Sequence, residues 1–401
     1  MTATLVKGWC PSLGTPMESG DGWIVRVKPP GSRLSAGDVR ALAGAAAGNG
    51  LVDLTGRSNI QFRGFRREAI ADFASLVVAR GLGVAAVAVE QIRSVMVAPL
   101  AGERALSVAK AIEAGLAADP VFQALPPKFG FAVTGDGGLP IALDTADVTV
   151  DLDSNTIVIP AKAGIHSGAA RDVTMDPGLR RDDGSEVALR LARAFLREAP
   201  PARRMRQVDA NRVFAFAGLE PAPNDTKRAI PAIGALPDHG AVVVGLPFGQ
   251  ITVRDLARLA DLAGDSMLHL CPWRAIAIRG DVPALIEGAR RLGLVTDAAD
   301  PRLRIVACTG KPGCPNGSVP TRADAAWAAH MDLVPAGATL HLSGCPKGCA
   351  HPNPATAVLT GRGGLYDLIL GGRADGAPLA TGLSMEEAGD LLTSLLESRV
   401  L

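Results

Sequence analysis

The sequence predicts an α+β protein made of two homologous halves, each a ferredoxin-like unit followed by a larger lobe. Two observations predict it: the chain repeats itself at long range, and within each copy β-rich runs alternate with amphipathic helical ones. LSAGDVRALA around Leu34 follows the strand-like GWIVRVK, and ITVRDLARLA around Ile251 follows AVVVGLP. Leu34, Asp38 and Leu42 map onto Ile251, Asp255 and Leu259 at a constant shift of 217 residues. IQFRG, ending at Gly64, maps onto IAIRG, ending at Gly280, at a shift of 216, and Ile92-Arg93 maps onto Leu303-Arg304 at 211. A repeat that drifts by so few residues marks a duplicated unit with loops of unequal length.

Taken in order, GWIVRVK is β-rich, Leu34, Val39, Leu42 and Ala43 keep a helical period, and VDLT and NIQF return to strands. Strands and helices alternating in this way imply layers of sheet and helix. The expected units are ferredoxin-like halves over 10–70 and 236–284, with lobes over 88–205 and 300–400. One stretch fits neither copy. Ile157 to Gly184, IVIPAKAGIHSGAARDVTMDPGLRRDDG, lies between a strand-like VTVDLD and a helix-like SEVALRLARAFL. It resembles a translated copy of a palindromic intergenic repeat and is expected to be an inserted, solvent-exposed loop, because closure entropy grows slowly with loop length. His166 would then be a bystander.

Composition narrows the function. Lys plus Arg number 41 against 40 Asp plus Glu, a net charge of +1, without the cationic surplus that phosphate neutralisation needs. A 48% apolar and 20% charged chain of 401 residues has ample material for packed domains. The apolar stretch from Leu76 to Leu100 is interrupted by Arg80, Glu90 and Arg93, so no membrane span is expected. MTATLVKGWCPSLG lacks the apolar core of a secretory signal. The expected compartment is the cytoplasm, with neither nucleic acid nor membrane as partner.

Six cysteines are too sparse for a disulfide scaffold, and four of them cluster. Cys308 and Cys314 stand in CTGKPGC, Cys345 and Cys349 in GCPKGC. Gly310, Gly313, Gly344 and Gly348, with Pro312, Pro315 and Pro346, let the backbone bend tightly and aim N–H groups at a buried anion. These loops suit an iron–sulfur cluster. Zinc is the rival, yet its structural sites usually use C-x2-C or C-x4-C knuckles, and two wider loops better fit a bulkier cubane. Cys10 and Cys271 read as ordinary cysteines. The six histidines are scattered, with His351, just after Cys349, the nearest to a ligand position. No G-x-G-x-x-G or P-loop supports direct nicotinamide binding.

The C-x5-C and C-x3-C pairs, ending in GCPKGC, resemble the signature of the nitrite and sulfite reductase family. The resemblance implies a duplicated fold with a pseudo-twofold axis and the active site between the halves. It also implies a 4Fe-4S cluster on Cys308, Cys314, Cys345 and Cys349, the last bridging to sirohaem iron in that family. LTGRSNIQFRG resembles the family's T-x-R-x-x-x-Q element, whose arginine contacts the macrocycle and its anion; this assigns Arg57, with Asn59 and Gln61 expected on the same strand face. Trp273, Ala275 and Ala277 stand in their places in the second copy, which implies one working site built asymmetrically. EQIRSVMVAPLAG carries over Arg93, and LPPKFGF, similar to L-P-R-K-F-K, carries over Lys128. Arg63 and Arg304 stay unassigned.

The chain departs from the family at Gly130, where sulfite reductases have a second lysine that holds the anion and delivers protons. Gly130, the modest length and the opening CPSLGTPMESGDGWIVRV bring the resemblance closest to the cobalamin-pathway branch, whose site receives a tetrapyrrole substrate. The implied reaction is a monooxygenase step, oxygen-dependent hydroxylation at C-20 with closure of a lactone. Electrons would come from the cluster, refilled by a partner reductase or ferredoxin with NADH as ultimate donor. That branch also implies a non-haem iron, whose ligands no motif identifies. The alternative is a sirohaem-dependent nitrite or sulfite reductase, against which Gly130 counts. An iron–sulfur carrier without catalysis would need no row of Arg57, Arg93 and Lys128.

Overall fold

The computed structural model describes residues 10–160, 170–174, 184–198, 201–220, 222–224 and 233–397. In the first half, Val25 and Val27 of strand Gly22–Val27 are fully buried, while Arg26 and Lys28 alternate to the opposite face. This strand pairs antiparallel with Ile60–Phe65, which pairs with Leu51–Leu54. The second half repeats the arrangement with Ala241–Gly245, Ala275–Arg279 and Leu268–Cys271.

Each half lends the other an edge strand. Gln250–Thr252 pairs with Leu51–Leu54, Ile251 opposite Val52, and Arg33–Leu34 pairs with Leu268–Cys271, Leu34 opposite Leu268. Leu34 and Ile251, matched in the sequence, therefore mark the exchanged segments. Both are entered through a left-handed turn, at Gly31 and Ser32 (φ 64° and 54°) and at Phe248 and Gly249 (φ 52° and 75°). Both lead into a capped helix. Ser35 Oγ accepts from Asp38 N at 3.0 Å ahead of helix Ala36–Ala45, and Thr252 Oγ1 accepts from Asp255 N at 3.0 Å ahead of Val253–Ala263. Such caps are worth about 1 kcal/mol each. The two helices pack on one another, and Val25, Val39 and Leu42 share one continuous core with Val242, Leu256 and Leu259. Helices Ile70–Ala79 and Val282–Arg291 join this core through Phe73, Val77, Leu285 and Ala289, so each half runs past the ends expected at 70 and 284.

The lobes are duplicated as well. In the first, Val95–Val97, Phe131–Thr134 and Val148–Asp151 run parallel, then Thr156–Ile159, Ala170–Thr174 and Ala222–Asn224 follow antiparallel. In the second, Ile305–Ala307, Leu340–Ser343 and Ala355–Arg362 run parallel, then Leu365–Gly372 and Ala380–Leu383 follow antiparallel. Helices Glu103–Ala118 and Gly184–Glu198 pack on the first sheet, and Thr321–His330 and Met385–Glu397 on the second.

At its described residues, 157–160, 170–174 and 184, the expected exposed insertion over 157–184 is corrected by this order. Ile157 and Ile159 are fully buried in the lobe core, and Gly184 opens a helix. Ala170–Thr174 pairs with Thr156–Ile159 and holds the same place in its sheet as Ala380–Leu383 holds in the other. ARDVT looks like loop by composition, but a ladder is made by backbone groups, which composition does not reveal. His166, with the rest of 161–169 and 175–183, lies outside the described residues. Among the described residues no helix is long and apolar enough to cross a membrane.

Candidate functional site

Two adjoining cavities open beside the turn that joins Leu54 to Ile60, and Lys28, Arg57, Asn59 and Ser94 line both. The turn closes on Thr55, whose Oγ1 accepts from Arg57 N at 3.3 Å and Asn59 N at 3.2 Å, while Ser58 takes φ 52°. Arg57 and Asn59 thus precede strand Ile60–Phe65 rather than alternating along it. Gln61, expected beside them, serves the site at one remove: its Oε1 accepts from Arg26 Nε at 3.1 Å and Nη2 at 2.7 Å, holding Arg26 in the second cavity's wall.

Arg57 donates to the backbone carbonyl of Lys128. Burial, reinforced by the charge of Arg204, lowers its pKa to about 10. Lys128 is exposed and lines neither cavity; its carbonyl is what Arg57 holds. Lys28 was not singled out by sequence. It is 7% exposed, donates to the carbonyls of Glu90 and Gln91, and burial pulls its pKa to about 8 against the opposing charge of Glu90. Alternation along GWIVRVK was the available signal, since positions between core valines must face something else.

Arg93 borders the first cavity but is an internal strut. Its side chain is 5% exposed, pairs with Glu90 at 3.2 Å and Glu113 at 3.3 Å, and donates to Lys28 O at 2.7 Å and Leu82 O at 3.2 Å. Burial raises the Glu113 carboxyl's pKa, with Arg93 opposing. A guanidinium spent on two carboxylates and two carbonyls has few donors left for a ligand, although Arg93 still lines the first cavity. Gly130 completes the wall. Its N–H donates to Asp147 Oδ2 at 3.1 Å, and the buried Asp147 is held by Arg204 Nε at 2.9 Å. A Cβ at 130 would lie 3.1 Å from Ser94 Oγ and 3.7 Å from Arg57 Nη1.

The cysteine loops leave the carboxyl ends of two neighbouring parallel strands, Ile305–Ala307 and Leu340–Ser343, where open sheets commonly hold ligands. Gly344 N–H donates to Cys308 Sγ at 3.1 Å, and Thr321 Oγ1 donates to Cys308 O at 2.8 Å. Gly310 takes φ 59° with its ideal Cβ only 2.4 Å from Thr321 Oγ1, so no side chain fits there. Burial raises the pKa of Cys345 and of Cys349. Cys308 and Cys314 add to it at both, and Cys345 at Cys349. The four thiols therefore share one electrostatic neighbourhood. Among the described residues no three His, Cys, Asp or Glu side chains are gathered closely enough to hold a single ion.

The remaining candidates separate cleanly. Cys271 is fully buried and burial pushes its thiol up. Cys10 lines the second cavity, where the sequence offered no signal for it. Arg304 pairs with Asp332 at 2.8 Å and is structural. His351 Nε2 lies 3.3 Å from Pro354 O, its ring against that of His341. Arg63 is 3% exposed and donates to the carbonyl of Gly313 at 2.8 Å, and Arg274 donates to that of Ala350 at 3.1 Å, so each half grips one cysteine loop.

Residues 15–79 match the nitrite/sulfite reductase ferredoxin-like half domain. The chain is 28% identical to a precorrin-3B synthase from Sinorhizobium sp. over 94% of its own length and 86% of that protein's. It is 25% identical to a ferredoxin–nitrite reductase from Synechococcus elongatus over the same shares of the two chains. The structure of Mycobacterium tuberculosis NirA superposes with a TM-score of 0.67 at 20% identity, covering 94% of this chain and 80% of the other, and so shares its fold. The chain is thus similar to a precorrin-3B synthase along most of its length, carries a ferredoxin-like half domain at residues 15–79, and has the fold of the nitrite and sulfite reductases.

Proposed function

We propose that the chain is a precorrin-3B synthase of the cytoplasm, converting precorrin-3A to precorrin-3B with dioxygen by hydroxylation at C-20 and closure of a lactone. The observation that carries this reading is the similarity to a precorrin-3B synthase across 94% of the chain. The cavity beside Gly130 supports it. Arg57, Arg26 and Lys28 suit the acetate and propionate carboxylates of a tetrapyrrole, each charge-assisted bond being worth about 1.5–3 kcal/mol. Burial strengthens these contacts by removing competing water. The carbonyl of Lys128 orients Arg57, and Gln61 orients Arg26.

The cysteine site suits a 4Fe-4S cluster better than zinc: the thiols stand on two wide glycine-bearing loops at the ends of neighbouring strands, and the Gly344 N–H already aims at Cys308 Sγ. Bound there, such a cluster supplies single electrons, which closed-shell substrates need before dioxygen reacts readily. Those electrons would arrive from a ferredoxin or a reductase, with NADH as ultimate donor; a similar protein is a ferredoxin-dependent nitrite reductase. A further non-haem iron has no ligand set among the described residues.

The second reading, a sirohaem nitrite or sulfite reductase, is favoured by the 25% identity to ferredoxin–nitrite reductase. Gly130 opposes it, since it puts no second lysine of the LPPKFGF element at this position, where a Cβ would lie 3.7 Å from Arg57 Nη1. An absorption spectrum of the anaerobically purified protein, with iron and sulfide analysis, separates the two. A broad shoulder near 400 nm without sirohaem bands supports the synthase. Sirohaem bands move the assignment to anion reduction.

A further inference from the structure

We propose that Arg63 is a positioning residue for the electron path: from the first ferredoxin-like half it fixes the loop between Cys308 and Cys314 and sets the charge felt by a cluster bound there. The inference rests on the reading that the four cysteines hold a 4Fe-4S cluster. Its basis is a chain of ion pairs in which Arg63 and Asp53 are buried and Asp21 and Arg322 half-buried. Arg63 Nη2 donates to Gly313 O at 2.8 Å, and Ser19 Oγ donates to the same oxygen at 2.6 Å. Arg63 Nε and Nη2 meet the two oxygens of Asp21 at 2.9 Å each, and Nη1 meets Asp53 at 3.1 Å. Asp53 also binds Arg322 at 2.8 Å, on the helix whose first residue, Thr321, is bonded to Cys308 O. The ideal Cβ of Gly313 would lie 3.3 Å from both Arg63 Nη2 and Asp21 Oδ2, so loop and ion pair touch.

The duplicated copy separates anchoring from charge. Arg279 stands at the place of Arg63 and donates to Leu100 O at 3.2 Å, in the loop that follows the first strand of the other lobe. Each half therefore reaches across to the opposite lobe's first loop with an arginine. The copies differ in what surrounds it. His269 takes the place of Asp53, its Nδ1 accepting from Leu100 N at 3.2 Å, and Arg279 spends its other amine on the carbonyl of His239 at 2.7 Å. Anchoring in that copy thus uses an arginine and a histidine and no carboxylate. The carboxylate pair occurs beside the loop that carries cysteines, where two cations and two anions balance.

Neutralising Arg63 leaves the loop facing an uncompensated anion, which disfavours adding an electron nearby, and neutralising Asp21 does the reverse. The test uses the full chain, reconstituted anaerobically with iron and sulfide, with the cluster's midpoint potential read by spectroelectrochemistry. Arg63→Gln is expected to shift the potential to more negative values and Asp21→Asn to more positive ones, while Arg63→Lys stays near the unaltered protein. Should Arg63→Gln fail to fold, Asp21→Asn and Arg63→Lys still decide. A four-iron cluster whose potential is the same in all variants overturns this inference alone. An unaltered protein that takes up no such cluster overturns the cluster reading with it.

Discussion

Gly130 faces Ser94 so closely that a Cβ would sit 3.1 Å from its hydroxyl oxygen, on the wall of the cavity that Arg57 enters. The absence of a side chain here is what keeps that cavity open.

Gly130→Lys should therefore close it. The new side chain would press a second cation toward Arg57, whose pKa burial already lowers to about 10. Binding of a carboxylated tetrapyrrole such as uroporphyrin, followed by fluorescence quenching, is expected to weaken at least tenfold with little change in Tm. Undiminished binding would show that the ligand does not use this cavity.

Arg57→Gln should weaken the same binding roughly ten- to a hundredfold, the loss of one charge-assisted contact worth about 1.5–3 kcal/mol. Arg93→Gln should behave differently. Removing that guanidinium strands Glu90 and Glu113, so the drop appears in Tm; unpairing a buried charge costs about 3–5 kcal/mol. Ligand binding lost without a fall in Tm would return Arg93 to the substrate.

Lys28 makes binding depend on pH. Its pKa is lowered to about 8, so it is charged at pH 7 and largely neutral at pH 9, and an anionic ligand loses a partner as pH rises. The dissociation constant should increase between pH 7 and pH 9, and Lys28→Met should remove most of that slope. A flat profile in the unaltered protein would exclude Lys28 as a ligand contact.

Deleting residues 161–183 should destabilise the first lobe, because it removes Ala170–Thr174 from between Thr156–Ile159 and Ala222–Asn224. Each lost ladder bond costs about 0.5–1.5 kcal/mol. Thermal unfolding reports the result; an unchanged Tm would restore the reading of this stretch as a dispensable loop.

Much of this architecture was legible because the duplicated halves kept matching residues where physics is strict. Leu34 and Ile251 sit on exchanged strands, and Asp38 and Asp255 complete helix caps. The lobe duplication was hidden, since it survives in strand order and sense rather than in side chains. The candidate cysteines were singled out by spacing and glycines, on loops that the structure places at the ends of neighbouring strands. The ion pairs of Arg93 were not legible, because its residue type was visible but its partner Glu113, on a separate helix, was not. Arg63 could not be assigned for the same reason, its carbonyl partner lying 250 positions away. Lys28 was missed although the alternation with Val25 and Val27 was present.

The most direct test of the synthase assignment is product analysis by mass spectrometry after the reconstituted protein is given precorrin-3A, an electron donor and isotopically labelled dioxygen. A synthase yields precorrin-3B, the substrate plus one labelled oxygen atom. Unchanged precorrin-3A, in a preparation that instead reduces nitrite or sulfite, would contradict the assignment.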